Sequence, residues 1–138
     1  DQLAGAPPDF EVALNVAVTI TTDDRPETIA EALAPVKGML GFYVGGMGAK
    51  GQNFHTKLMA RMGFAVEADS IQDLFLEGRR DEAIAAVPDQ FADEISLVGT
   101  PARIRDRLAA FADSPVTMLN VAPRSPDHLA RVAEIILG

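Results

Sequence analysis

The sequence has no cysteine, no tryptophan, one tyrosine and two histidines. Without thiols it can form no disulfide, no thiolate metal site and no cysteine nucleophile. His55 and His128 stand far apart, with no H-E-x-x-H or comparable ligand spacing, so no metal site is expected. No apolar run approaches the ~18 residues that a membrane span needs. No basic, apolar leader with a small-residue cleavage site opens the chain, so a cytoplasmic location is expected. Positive charge is scarce: 12 Lys and Arg stand against 20 Asp and Glu, a net charge of −8. That balance argues against nucleic acid and anionic membrane as partners. The chain begins with Asp1 rather than methionine, which points to a processed or excised piece.

What is present suits a single domain with a real core: 138 residues, 48% of them apolar. Asp1 to Asp9 carries Gly5, Pro7 and Pro8 and reads as a linker or the tail of a missing element. Val12 to Ile20 (VALNVAVTI) is almost continuously apolar and β-branched, as in a parallel strand covered on both faces. Asn15 interrupts it and needs a partner if buried. Thr21, Thr22, Asp23 and Asp24 offer helix caps, and Pro26 suits a first helical position. Ile29, Leu33, Val36 and Leu40 then form a helical stripe, which Pro35 is expected to kink or split.

A second helix should carry Phe54, Leu58 and Met62 on one face and end at Gly63. A third should be capped by Asp69 or Ser70, bury Ile71, Leu74 and Phe75, and stop at Gly78. Arg80 to Val87 reads as a short helix closed by Pro88, and Asp89 opens another with Phe91 and Ile95 as apolar contacts. Thr100-Pro101 is a strong helix start, followed by inward Ile104, Leu108 and Phe111. Ser114-Pro115 breaks that helix. Val116 to Val121 reads as a second strand, and Ser125-Pro126 opens a last helix with Leu129, Val132, Ile135 and Ile136. Ser70, Ser96, Ser114 and Ser125 lack a nucleophile elbow and suit caps and turns. Glu67, Asp69, Asp93 and Glu94 read as solvated acids.

The densest glycine cluster, Gly45, Gly46, Gly48 and Gly51, lies between the first two helices. Gly46-x-Gly48-x-x-Gly51, with Glu67 and Asp69 about 20 residues on, matches the letters of a dinucleotide fingerprint. It lacks the strands that the fingerprint needs before and after it. Lys50 is followed by Gly51, without the Ser or Thr of a phosphate-binding P-loop. A glycine-rich turn allowing close backbone approach is the plainer reading.

The segment Tyr43-Val44-Gly45-Gly46-Met47-Gly48-Ala49-Lys50-Gly51-x-Asn53-Phe54 resembles the luciferase-like monooxygenase superfamily, and within it the type that uses the deazaflavin coenzyme F420. Val98-Gly99-Thr100-Pro101, Arg107-Leu108-x-x-Phe111 and Val116 to Val121 resemble that family's last helix and strand. The similarity runs from about Val12 to Leu119. It implies an α/β fold in which residues 1–138 form one partial domain, the C-terminal portion of a (β/α)8 TIM barrel. The two strands would be the last two parallel strands of the barrel, with extra helices inserted between them. Two strands make no barrel by themselves. Val12, Leu14, Val16 and Val18 should then lack their other neighbouring strand, which leaves unpaired edges and apolar surface. The expected partners are the missing N-terminal part of the barrel, or a second copy through self-association, besides a small-molecule substrate.

The resemblance further implies an oxidoreductase that passes a hydride between coenzyme F420 and an organic substrate. FMN in a monooxygenase on the same barrel is one alternative, and a non-enzymatic helical interaction module is another. A barrel's active site lies at the C-terminal ends of its strands. Here those ends are Thr21, Thr22 and Asp23, and Ala122, Pro123 and Arg124. If the glycine turn folds over this face, Tyr43, Gly45, Gly46, Met47, Gly48 and Asn53 are candidate cofactor-binding residues; packing of helices is the competing role. Arg124 is a candidate for an anionic cofactor tail. The family's catalytic residues and phosphate loops lie on earlier strands, so none is assigned here and the fragment alone should be inactive.

Overall fold

A computed structural model describes residues 7, 9–122 and 124–138. Most of the linker reading at Asp1 to Asp9, and the position of Pro123, lie outside the described residues. The fold is mixed α/β and mostly helical. In chain order it runs β1 (Ala13–Ile20), α1 (Pro26–Gly46), α2 (Phe54–Met59), a π turn (Ala60–Phe64) and α3 (Ala65–Leu76). It continues with α4 (Arg80–Ala85), α5 (Asp89–Glu94), β2 (Ser96–Gly99), α6 (Pro101–Ala112), β3 (Met118–Val121) and α7 (Pro126–Leu137).

The two predicted strands are parallel neighbours, β3 pairing with the first half of β1 from Ala13↔Met118 to Val16↔Val121. A third strand escaped the sequence reading. Ser96–Gly99 pairs in parallel with the second half of β1, from Ala17↔Ser96 to Ile20↔Gly99. The sheet order is therefore β2-β1-β3. β1 is thus the central strand, yet Ala13–Val16 pair only with β3 and Ala17–Ile20 only with β2, so each half has one neighbour, while Val16 and Val18 are buried. Four residues give too short a run for period-2 patterning to stand out from the end of α5.

Adjacent β2 residues point to opposite faces and join different cores. Val98 packs with Leu33, Val36, Leu40, Val44, Met59, Ile71 and Phe91 of the helical insertion. Leu97 packs with Val16, Val18, Ile104, Val132 and Ile135 beneath α6 and α7. The fully buried β2 is thus the wall between the two cores. β1 is less covered than its composition suggested. Ala13, Leu14, Asn15 and Ala17 are exposed, so Asn15 needs no buried partner.

α1 continues through Pro35 without splitting. An interior proline costs about 3 kcal/mol, and burial of Leu33, Val36, Leu40 and Val44 at ~1.5–3 kcal/mol each outweighs it. Pro35 and Glu31, whose carbonyl loses a donor, both face solvent. Gly63, at φ 99°, breaks the helix where expected. α3, however, starts at Ala65 without a side-chain cap, earlier than Asp69 or Ser70. Phe54, Leu58 and Met62 do not face inward. Thr56 and Met59 are the buried residues of α2, and the expected stripe is exposed. Leu129 is likewise exposed on α7, while Val132 and Ile135 are buried. The start of α6 is as read: Thr100 Oγ1 accepts from the Arg103 N–H.

Candidate functional site

The C-terminal ends of the three parallel strands meet at one side of the sheet. β1 runs out into Thr21–Arg25, β2 into Thr100 and β3 into Ala122 and Arg124. The Thr21 N–H donates to the Gly99 carbonyl at 2.9 Å, which continues the β1–β2 ladder past its last pair. The Asp24 carboxylate accepts from the Thr100 N–H at 2.8 Å and from the Thr100 hydroxyl at 2.7 Å. It thereby ties the β1 exit to the first turn of α6, and those two bonds hold its pKa below the usual carboxylate range. Asp23 pairs with Arg25 and, through that hydrogen bond first, has its pKa lowered to about 2.

Arg124 lies at the same end. Its guanidinium donates to Thr19 Oγ1 at 3.0 Å, and its backbone N–H donates to His128 Nδ1 at 3.1 Å. Continuing the Asn15↔Asn120 register two residues at a time brings positions 122 and 124 beside 17 and 19 on the same face of the sheet. On that face Ala13, Asn15, Ala17, Met118 and Asn120 are exposed, because α6 and α7 cover the opposite one. Thr19 was not among the candidates from sequence. The signal that could have found it is strand parity: Thr19 and Arg124 point the same way once β1 and β3 are registered.

The glycine turn does not fold over this face within the chain. α1 begins at the strand ends and runs for 21 residues, about 30 Å at 1.5 Å per residue. The turn therefore sits at the far end of α1, and the sequence grouping of Arg124 with Tyr43, Gly45, Gly46, Met47, Gly48 and Asn53 is not brought together. Gly45 and Gly46 are helical rather than part of a turn. A Cβ at Gly45 would stand 2.5 Å from Phe75 Cβ, and one at Gly46 would stand 2.6 Å from the Phe75 ring. Gly48 presses on Asn53, where a Cβ would meet its Cα at 3.1 Å.

Asn53 is buried and its amide is fully engaged. Its Oδ1 accepts from the His55 and Thr56 N–H groups, and its Nδ2 donates to the Tyr43 and Val44 carbonyls at 2.8 Å each. Thr56 Oγ1 adds a second donor to the Val44 carbonyl at 2.7 Å. These bonds close the last turn of α1 onto the first turn of α2. Tyr43 packs its ring on His55 at 4.9 Å, and Met47 is exposed. Packing thus accounts for the glycines and Asn53.

Asp93 is not a solvated acid. It accepts from Arg103 Nη2 at 2.8 Å and Arg107 Nη1 at 2.9 Å, with all three side chains largely covered. Arg103 and Arg107 also donate to the Val98 and Asp93 carbonyls, which fastens α6 to the end of α5 and to β2. Ser114 and Ser125 serve a turn and a cap as expected, whereas Ser70 lies inside α3 and Ser96 is a buried strand residue that donates to the Ala92 carbonyl. Two open grooves run elsewhere, one between α1 and α5 beside Leu33 and Asp89, the other between α6 and β3 beside Phe111 and Leu119. Neither is lined by Arg124 or by the glycine turn. No cluster of His, Asp and Glu among the described residues has the makings of a metal site. No helix among them is long and apolar enough to cross a membrane.

Comparison with known proteins bears on what this arrangement serves. The pattern of the luciferase-like monooxygenase family matches residues 2–118. A Mycobacterium tuberculosis protein named as a candidate coenzyme F420-dependent oxidoreductase is 37% identical over 128 residues, 93% of this chain and 35% of its own length. The chain thus spans about a third of that curated relative. No solved structure matches the chain.

Proposed function

The chain belongs to the luciferase-like monooxygenase family, and from that premise we propose that it is the C-terminal part of a coenzyme F420-dependent oxidoreductase. The reaction is passage of a hydride between the deazaflavin and a small organic substrate. The name of the M. tuberculosis relative supports the choice of cofactor.

The observation that carries the reading is the one-sided cover of β1 and β3. In a (β/α)8 barrel helices cover the outer face of the strands, side chains fill the interior, and ligands sit at the C-terminal strand ends. Here α6 and α7 cover one face, while Ala13, Asn15, Ala17, Met118 and Asn120 on the other are bare. Arg124 and Thr19 meet at the C-terminal rim of that bare face. This suits strands from the rest of the protein closing over the Asn15–Asn120 side as the barrel interior.

The residues at the rim fit an anionic cofactor tail. Arg124 would hold it through its remaining donors, with Thr19 fixing the guanidinium's orientation. When bound, the cofactor supplies the hydride chemistry, and the chain's share is to orient it and keep water out. The engaged amide of Asn53 and the filled surroundings of Gly45 and Gly46 support a packing role for the turn, holding α1, α2 and α3 together. FMN is the second reading, favoured by the family's description as monooxygenases.

The test is a fluorescence titration of the full-length protein with coenzyme F420 and, separately, FMN. Micromolar binding of F420 without FMN is the expected result. Binding of FMN alone would move the assignment to the monooxygenase, and binding of neither would overturn the enzyme reading.

A further inference from the structure

Arg124 is held at both ends by neutral acceptors. Its backbone N–H donates to His128 Nδ1 at 3.1 Å, and its guanidinium donates to Thr19 Oγ1 at 3.0 Å. Arg25, Arg79, Arg103 and Arg107 are fixed differently, each by a carboxylate within 3.1 Å. Among the described residues no carboxylate pairs with Arg124, and Asp127, three residues on in the first turn of α7, makes no ion pair. His128 stands at the third position of α7, and the Ser125 hydroxyl that caps the helix accepts from the His128 N–H at 3.1 Å. In a capping box that position carries Glu or Gln, whose side chain reaches back to the N–H of the cap residue. Here an imidazole meets the N–H of the residue before the cap, and so fastens the segment between β3 and α7. A nitrogen that accepts from an N–H carries no proton, so the ring is neutral, with its proton on Nε2. The flipped ring would set a carbon against the Arg124 N–H and remove its partner.

We propose that His128 is a positioning residue for anion binding at the rim: it fixes the backbone of Arg124 without neutralising the guanidinium. The inference rests on the reading of Arg124 as the contact to the cofactor's anionic tail. An arginine side chain has much rotamer freedom to lose on binding, and anchors made beforehand reduce that loss. The charge of the acceptor at 128 then matters as much as its presence. A carboxylate there would suit the positive N-terminal end of α7. It would also stand beside Arg124 and weaken the pull on an anion. A neutral imidazole supplies the acceptor and leaves the guanidinium's charge to the ligand.

Coenzyme F420 titrations of the full-length protein, run beside urea unfolding, test it. His128→Ala removes the acceptor and should weaken binding about threefold, the worth of one modest hydrogen bond. His128→Asn sets a neutral oxygen where Nδ1 stands and should recover most of that loss. His128→Asp differs from it in charge alone and carries the decisive contrast. Its urea midpoint should equal or exceed that of His128→Asn, because an acid suits a helix N-terminus, while its affinity should be about fivefold lower. A side chain that only capped the helix would rank the two variants alike in both measurements. In an Arg124→Ala background the same two variants should differ in affinity by no more than about twofold, since the effect runs through the guanidinium. Affinity that follows the unfolding midpoint across the variants would overturn the inference, as would an undiminished Asn-to-Asp difference without Arg124. Wild-type affinity in His128→Ala and His128→Asp beside weaker binding in Arg124→Ala would overturn this inference alone and leave the cofactor reading in place. Wild-type affinity in Arg124→Ala would overturn the reading of Arg124 and this inference with it.

Discussion

Phe75 on α3 occupies the space that a side chain on Gly45 of α1 would need: a Cβ placed there would stand 2.5 Å from Phe75 Cβ. The contact decides how closely the two longest helices of the insertion approach, because the obstruction is the base of a side chain rather than a flexible tip. Gly45→Ala should therefore cost about 1–3 kcal/mol by overpacking, less the few tenths to 1 kcal/mol that alanine gains in a helix. A urea unfolding series reads the difference. Phe75→Ala in the same background should recover part of the loss, a coupling that independent sites would not show.

Asn53 closes the α1–α2 corner with both ends of its amide. Asn53→Ala removes the cap and leaves the Tyr43 carbonyl without this donor, for an expected loss of about 2–3 kcal/mol. Asn53→Asp separates the two roles. It keeps the acceptor for the His55 N–H but turns a carboxylate oxygen toward the Tyr43 and Val44 carbonyls. Stability no better than that of the alanine variant would show that the donor half dominates; full recovery would show that capping alone matters.

Asp93 pairs with two guanidinium groups at once, with its side chain 19% exposed. Asp93→Ala should destabilise by about 2 kcal/mol, below the 3–5 kcal/mol of a fully buried broken pair because water reaches part of the cluster. The loss should respond little to added salt, unlike that of an exposed pair such as Arg79–Glu82. A salt series on both variants compares them directly.

How much of this was legible beforehand differed from element to element. Thr100-Pro101 and Ser125-Pro126 announced α6 and α7 because capping is local chemistry, complete within four residues. β1 and β3 were readable as strands because both runs are apolar and β-branched, and their parallel arrangement was what the family resemblance implied. Burial faces were harder. Phe54, Leu58 and Met62 have the helical spacing of a core stripe, and periodicity cannot say which side of a helix meets its neighbours. Thr56 and Asn53 are buried there instead, held by hydrogen bonds to the Val44 carbonyl that no pattern in the sequence encodes. For the same reason the grouping of Arg124 with the glycine turn did not hold within the chain. The direction and length of α1 carry the turn away from the strand ends, and that follows from packing at long range.

Two carboxylates at the strand ends set an acid limit on stability. The pKa of Asp23 is lowered to about 2, mainly by its hydrogen bond from Arg25, and that of Asp24 is lowered by the Thr100 N–H and hydroxyl. Both groups lose protons more readily when folded, so their contribution is complete above the ordinary carboxylate value near 4 and is lost as pH falls through the folded values. The urea midpoint should drop between about pH 4 and pH 2, and Asp24→Asn should make that drop shallower. Parallel pH profiles for wild type and variant would show that the Asp24–Thr100 link contributes nothing to the limit.

Arg124 separates the cofactor reading from mere packing. It is exposed, and its guanidinium bonds only to Thr19 Oγ1 among the described residues, so Arg124→Ala should change the unfolding midpoint by no more than about 0.5 kcal/mol. If Arg124 holds the anionic tail of a deazaflavin, the same change should weaken coenzyme binding by the full-length protein roughly tenfold, about 1.4 kcal/mol. Arg124→Lys should recover only part of this, because a single ammonium cannot both bond Thr19 and present a planar fork. Thr19→Val should produce a smaller loss by freeing the guanidinium to move. The salt dependence of binding discriminates further: a tail held by Arg124 should dissociate more readily as ionic strength rises, and the alanine variant should show a flatter dependence. Equal affinity and equal salt slopes in wild type and Arg124→Ala would place the anionic contact elsewhere in the protein and leave Arg124 as the residue that fastens the end of β3 to β1.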